Sequence, residues 1–372
     1  MAGDYGSACM QPGDSTMISS RFDARAVRAG DVVSSFKSFG ARPYIAGAFA
    51  AAAVLGVSAL VNRRLATKAE RDNPPRGRFI EVRGVHLHVV ERGQGEPLVL
   101  LHGNGSMVED FESSGLIELA AQRYRVIAID RPGFGHSARP RGEVWTDVAQ
   151  AELIADALSE IGVSRAIVLG HSWGCSVAVA LALNYPELVS ALVLASGYYY
   201  PSVRAEAVPS LGLQIPLLGD AIRHAVSPAL ARAMWPLLLR KLFGPAPTPE
   251  KFAGFPKEMT FRPSQLKASA ADTALMVPDA AARAKRYGEL AMPVVIVAGE
   301  SDRLVDTDKQ SARLHEDLPH STLRVVPGAG HMVHQTATPD VMAAIDEAAD
   351  LRTTQDAAAV PRESRAEPAR AG

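Results

Sequence analysis

Ala166-Ile167-Val168-Leu169-Gly170-His171-Ser172-Trp173-Gly174 decides how this chain folds. The first four residues form an apolar run that reads as a buried strand. Ser176 to Asn184, rich in Ala, Leu and Val, reads as a helix. Between them stands the pattern G-x-S-x-G. A serine at so sharp a strand-to-helix turn is strained and exposed, and flanking glycines let backbones approach closely. The helix that begins there aims its first N–H groups at negative charge developing near the serine. Alone, the pentapeptide also fits an ordinary turn in a chain with 30 glycines. The residues downstream separate the two readings.

A serine hydroxyl needs a base to take its proton, and the base needs an orienting acid. Pro293 to Gly299 reads as a buried strand and runs into Glu300-Ser301-Asp302-Arg303. Thr322 to Val326 reads as a short strand that leads into Pro327-Gly328-Ala329-Gly330-His331. Asp302 and His331 thus each lie just past the C-terminal end of a strand, the edge where open α/β sheets bind ligands. Glu300, Asp306 and Asp308 compete for the acid role. Asp302 is preferred because it has room to reach a histidine. His334 and His320 compete with His331, which the tight Pro-Gly-Ala-Gly approach favours. Strand Val189 to Ala195 is followed by Ser196-Gly197-Tyr198, with no carboxylate to supply the acid.

These motifs in this order resemble the α/β-hydrolases, and the resemblance covers roughly Arg78 to Asp350. Asp130-Arg131-Pro132-Gly133-Phe134-Gly135-His136-Ser137 matches the family's D-x-P-G-x-G-x-S loop. Leu98 to Leu101 enters His102-Gly103-Asn104-Gly105, similar to the H-G-x-G loop. The resemblance implies an oxyanion hole made by the backbone N–H groups of Asn104 and Trp173, with His102 buttressing the loop. Cys175 departs from the second glycine that many relatives carry after the elbow, and reads as small packing. Dehalogenases and epoxide hydrolases of this fold place an aspartate where this chain has Ser172. The serine therefore points to acyl transfer, or to cleavage of a C–C bond beside a ketone.

Strands and helices alternate through this region, which implies a mostly parallel twisted sheet with helices on both faces. Phe79 to Val82 and His86 to Val90 read as an antiparallel pair, and Trp145 to Ile161 as an amphipathic helix. The expected layout is a polar tail over 1–42, an apolar helix over 43–61 and a linker over 62–78. The hydrolase core follows over 79–197 and 291–350, interrupted by a helical cap over 198–290, with a disordered tail over 351–372. Within the cap, Arg204, Arg223, Arg232 and Arg262 could meet a substrate carboxylate. Trp173, Tyr198, Tyr199 and Trp235 are the expected pocket walls.

Pro43 to Val61 is nineteen residues without a charge, long enough to cross ~30 Å of hydrocarbon. It reads as a membrane anchor, or alternatively as a helix packed on a soluble cytoplasmic enzyme. Four basic residues precede it and six follow within about twenty positions, which orients the catalytic domain toward the cytoplasm. Some forty residues precede the run, too many for a cleaved signal peptide unless Met17 is the start, and even then more than usual. The net charge of −1 offers no case for nucleic acid. Cys9 and Cys175 suggest neither a disulfide nor a metal site.

The function expected from sequence is hydrolysis of a small or medium apolar ester through an acyl-enzyme, with no metal and no cofactor. The alternatives are C–C hydrolysis of a ring-cleavage product and a cofactor-free haloperoxidase or perhydrolase activity. A membrane-tethered scaffold conflicts with an intact triad.

Overall fold

Eight strands form one sheet, and its middle strands are continuous apolar runs. The computed structural model describes residues 43–202 and 218–359. Helix α1 (Pro43–Asp72) comes first. Strands β1 (Arg78–Val82), β2 (Val85–Arg92) and β3 (Glu96–Leu101) follow, then helix α2 (Val108–Ser114) and β4 (Tyr124–Ile129). After them come α3 (Asp147–Glu160), β5 (Ala166–His171), α4 (Trp173–Asn184) and β6 (Val189–Ala195). Helices α5 (Leu218–Ala225), α6 (Ser227–Phe243) and α7 (Pro263–Arg283) make the cap. The chain then returns to the sheet with β7 (Val294–Gly299) and β8 (Thr322–Val326), and ends in α8 (Thr338–Ala359).

The sheet order is β1-β2-β4-β3-β5-β6-β7-β8. β1, β2 and β4 pair antiparallel, and every pair from β4 onward is parallel. Parallel strands covered on both faces are apolar on both sides, and β5, β6 and β7 are buried at every position. Side chains alternate between two cores: Val99 and Leu101 of β3 join one, Leu98 and Leu100 the other. Helix α4 is apolar all round, as a fully buried helix must be, and its residues Trp173 through Ala182 are all buried.

The structure differs from the sequence layout at three places. Helix α1 continues past Val61 to Asp72, so most of the expected linker is helical. Its inner face is anchored: Asn62 Nδ2 donates to the His224 carbonyl at 2.9 Å, and Ala69 is buried. Pro74-Pro75 then ends it, because proline cannot continue a helix. At the other end α8 runs on to Ala359 rather than stopping near Asp350. Arg352 ties it down by pairing with Glu96 at 3.1 Å. Strand β4 was absent from the sequence reading. The expected N-terminal tail, the cap residues 203–217 with Arg204, and 360–372 lie outside the described residues. Among the described residues, α1 alone is long and apolar enough by composition to cross a membrane.

Candidate active site

Ser172 occupies a backbone conformation that a side chain rarely adopts, φ 53° and ψ −118°. Such strain persists only where the surroundings enforce it, and the two flanking glycines show how. A Cβ on Gly174 would lie 2.0 Å from the Leu101 carbonyl oxygen, and one on Gly170 would lie 2.6 Å from the Cys175 backbone. Only glycine lets α4 start so close to β3 and β5. The Cys175 thiol is fully buried and bonded to the Gly170 carbonyl, and burial pushes its pKa up to about 12. It behaves as packing.

Asp302 and His331 meet. His331 Nδ1 lies 2.7 Å from Asp302 Oδ2, and both side chains are about 2% exposed. The other Asp302 oxygen accepts from the N–H groups of Leu304 at 2.7 Å and Val305 at 2.9 Å. The carboxylate is therefore fixed on three sides. Glu300, the main competitor, instead accepts from the Gly328 N–H at an exposed turn. The glycine-rich approach has a packing reason. A Cβ on Gly299 would strike the Gly330 carbonyl oxygen at 2.2 Å, and one on Gly330 would crowd the carbonyls of Gly244 and Phe243. The His331 N–H donates to the Leu242 carbonyl at 2.9 Å, so the histidine loop is pinned to the end of α6.

Ser172 and His331 line one cavity of about 280 Å³, together with Asn104. Among the described residues Ser172 Oγ makes no hydrogen bond, and catalytic bonds often tighten only when substrate binds. The loop that carries Asn104 is held from behind. The Arg131 N–H donates to His102 Nε2 at 3.0 Å, which leaves Nδ1 as the protonated nitrogen, 2.8 Å from the Gly103 carbonyl. Burial, with Arg131 nearby, lowers the His102 pKa to about 3, so the ring stays neutral. The Arg131 guanidinium donates to the Gly103 carbonyl at 3.1 Å and to the His102 carbonyl at 2.9 Å. In a planar trans peptide the C=O and N–H point in opposite directions. These two donors on the Gly103 oxygen, joined by the Ser106 N–H at 3.4 Å, thus turn the Asn104 N–H away from them. Arg131 is itself completed by Gln150 at 2.7 Å and by the buried Asp272 of α7 at 2.8 Å. One buried ion pair links cap, core and loop.

The Asn104 side chain donates to the Ser269 carbonyl and to Thr273 Oγ1. The cavity is otherwise mostly apolar, with Trp235, Leu238, Leu242, Phe252, Phe255 and Met276 on its walls. Of the four expected pocket walls, only Trp235 is there. Trp173 and Tyr198 are packed with Met276 and Ala280, and Tyr199 is buried in the core on one sheet face. The elbow geometry explains this: α4 enters the interior at once, and the Trp173 ring goes inward with it. The Trp173 N–H, in the first turn of α4, has no acceptor among the described residues. Of the cap arginines, Arg232 pairs with Glu258 at 2.9 Å and Arg262 with Glu70 at 2.9 Å, and neither lines the cavity.

Beneath the serine lies a group that the sequence did not suggest. Asp110, His171 and His334 are all buried, with potential ligand atoms within 4.8 Å of one another. His334 Nε2 stands 3.0 Å from Asp110 Oδ1, and Asp110 also accepts from Ser106 and Gln335. Burial works to raise Asp110, but neighbouring His334 and these bonds outweigh it and hold the carboxyl below its usual range. Burial and its histidine neighbours keep His171 neutral. His334 Nδ1 and Nε2 and His171 Nδ1 have no hydrogen-bond partner among the described residues. No local pattern marks the group, since its members come from α2, β5 and the short helix Val333–Thr336 after β8.

Comparison with known proteins places the fold. Residues 96–338 match the model of the alpha/beta hydrolase fold family. A 2-hydroxymuconate semialdehyde hydrolase of Pseudomonas sp. (strain CF600) is 38% identical over 142 residues, covering 36% of this chain and 48% of that protein. This chain therefore spans about half the length of that relative. A 2-hydroxy-6-oxononadienedioate/2-hydroxy-6-oxononatrienedioate hydrolase of Burkholderia vietnamiensis is 29% identical, over 66% of this chain and 85% of its own. Among solved structures, an esterase of Thermogutta terrifontis superposes with a TM-score of 0.61 at 20% identity, over 74% of this chain and all of that one. The chain belongs to the alpha/beta hydrolase fold family.

Proposed function

We propose that this family member is a serine hydrolase that cleaves a carbon–carbon bond beside a ketone or aldehyde in a small substrate. The observation that carries the reading is the kind of molecule its relatives are named for. 2-Hydroxymuconate semialdehyde has carboxyl, enol and aldehyde groups but no ester or amide. A hydrolase for such a compound must add water across a C–C bond. The sequence expectation of ester cleavage is thus the second reading rather than the first.

In this proposal His331, oriented by Asp302, takes the Ser172 proton as Oγ attacks the carbonyl. The N–H groups of Asn104 and Trp173 receive the oxyanion. For the C–C bond to break, the substrate's dienol first ketonises, its hydroxyl proton moving to the carbon beside the attacked carbonyl. The bond then breaks with its electron pair delocalised as a dienolate onto the new keto oxygen, and His331 returns its proton to that dienolate. Water, activated by the same histidine, releases the acyl group from Ser172. The triad needs no metal or cofactor for these steps.

One observation favours the ester reading. Ring-cleavage products carry carboxylates, yet no Lys or Arg is among the described residues on the cavity wall. An apolar ester would need no such partner. The two readings separate in one experiment: kcat/KM for a 2-hydroxy-6-oxodienoate, followed by loss of its absorbance, against p-nitrophenyl esters of graded chain length. The C–C reading requires the dienoate to be the best substrate. Fast ester turnover with an untouched dienoate would replace it with the ester reading.

A further inference from the structure

We propose that the outer faces of α1 and α6 together form a surface that docks on a phospholipid bilayer carrying anionic headgroups, with α6 lying at the membrane interface. A helix on a protein surface normally buries its apolar side and shows water its polar side. Helix α6 does the reverse along its outer face. Val226, Leu230, Met234 and Leu237 recur at helical spacing, and Leu230 and Leu237 are 57% and 55% exposed. The other side of the same helix is already occupied, with Phe243 buried and Trp235, Leu239 and Leu242 packed against the aromatic cluster of the cap.

Helix α1 shows the same inversion. From Ala53 onward its inner positions are engaged with the cap: Ser58 Oγ donates to the Ala225 carbonyl, and Arg232 donates to Asn62 Oδ1 at 3.1 Å. Its outer positions Val54 and Val57 are 68% and 64% exposed. The bonds at Ala225 and Arg232 place this seam beside Val226 and Leu230, so the two exposed stripes flank one line of contact.

Three features select lipid over a protein partner. The uncharged run Pro43 to Val61 has the length of a hydrocarbon crossing. Where it ends, Arg63 and Arg64 are exposed on the same helix, at the level where a crossing helix meets phosphate, while Lys68 further on pairs with Asp72. An apolar patch of this extent rarely faces water on a monomer, and the basic residues at its rim match an anionic surface. Leu238 belongs both to the exposed face of α6 and to the catalytic cavity. On the hydrolase reading, the cavity thus opens toward the bilayer.

The test needs no activity. In the full chain with Cys9→Ser, Met234→Cys carries an environment-sensitive fluorophore, while the buried Cys175 stays unlabelled. The protein is combined with phosphatidylcholine/phosphatidylglycerol vesicles containing a quencher-bearing lipid. Lipid should quench the label at 234 strongly and a label at Val325→Cys, on the edge strand β8, weakly. Adding Leu230→Glu and Leu237→Glu should cut quenching at 234 by about tenfold with thermal unfolding unchanged. Equal quenching at 234 and 325 would overturn the proposal. So would efficient cross-linking between Met234→Cys chains without lipid quenching, which would assign the face to a second copy of this chain.

Discussion

Replacing Arg131 with methionine separates two jobs that the structure gives to one side chain. Arg131 and Asp272 are both fully buried and 2.8 Å apart. Removing the cation leaves Asp272 with only Arg139, at 3.0 Å, and strips one donor from each of the His102 and Gly103 carbonyls. Breaking a buried pair from one side costs about 3–5 kcal/mol, a large share of the roughly 5–15 kcal/mol of a typical domain. Replacing both partners, Arg131→Met with Asp272→Leu, removes the stranded charge and should recover most of that loss. Turnover should not recover, because the Gly103 carbonyl still lacks its guanidinium donor. His102 and the Ser106 N–H still donate to that oxygen, so the deficit should sit near the lower end of the ~10²–10³ typical of a lost oxyanion contact. Urea unfolding and kcat on a p-nitrophenyl ester measure the two quantities. A double variant that regains stability and full turnover together would show that Arg131 only balances Asp272.

Asp302→Asn should leave unfolding unchanged and lower kcat by roughly 10⁴, since an amide favours the wrong imidazole tautomer; Glu300→Gln should stay close to the parent, and the reverse order would make Glu300 the acid. Gly174→Ala should yield little folded enzyme, judged by circular dichroism and soluble yield, because its Cβ would strike the Leu101 carbonyl oxygen at 2.0 Å. Burial, with Asp272 adding to it, raises the Asp279 carboxyl to about 7. The native state then holds a proton that the unfolded chain releases near pH 4, so this group costs stability as pH rises from about 4 to 7. Asp279→Asn should therefore raise Tm relative to the parent at pH 8 and make no difference below pH 4; a gain that does not grow with pH would contradict the raised carboxyl.

The fold was legible because its strands are buried on both faces. Ala166 to Leu169 and Val294 to Gly299 are continuous apolar runs, and the glycines at 170, 174, 299 and 330 mark close approaches that permit no Cβ. The meeting of Asp302 with His331 beside Ser172 was legible for a related reason: each follows the end of a strand, so strand order brings them together. Helix ends were harder. Residues 62–72 are polar enough to look like a linker, and only contacts with the cap show that one face is held. Residue type does not give direction, and the Trp173 and Tyr198 side chains point into the packing while Trp235 lines the cavity. The pairing of Arg131 with Asp272, and that of Asp110 with His334, had no sequence signal, because each joins segments far apart in the chain.

The central claim is that Ser172 is the activated nucleophile of a triad with His331 and Asp302. Intact-mass and peptide mass spectrometry after treatment with a fluorophosphonate probe test it most directly. One adduct per chain, mapped to Ser172 and lost in both Ser172→Ala and His331→Ala, is the expected result. An adduct on another serine, or labelling that survives Ser172→Ala, would contradict it.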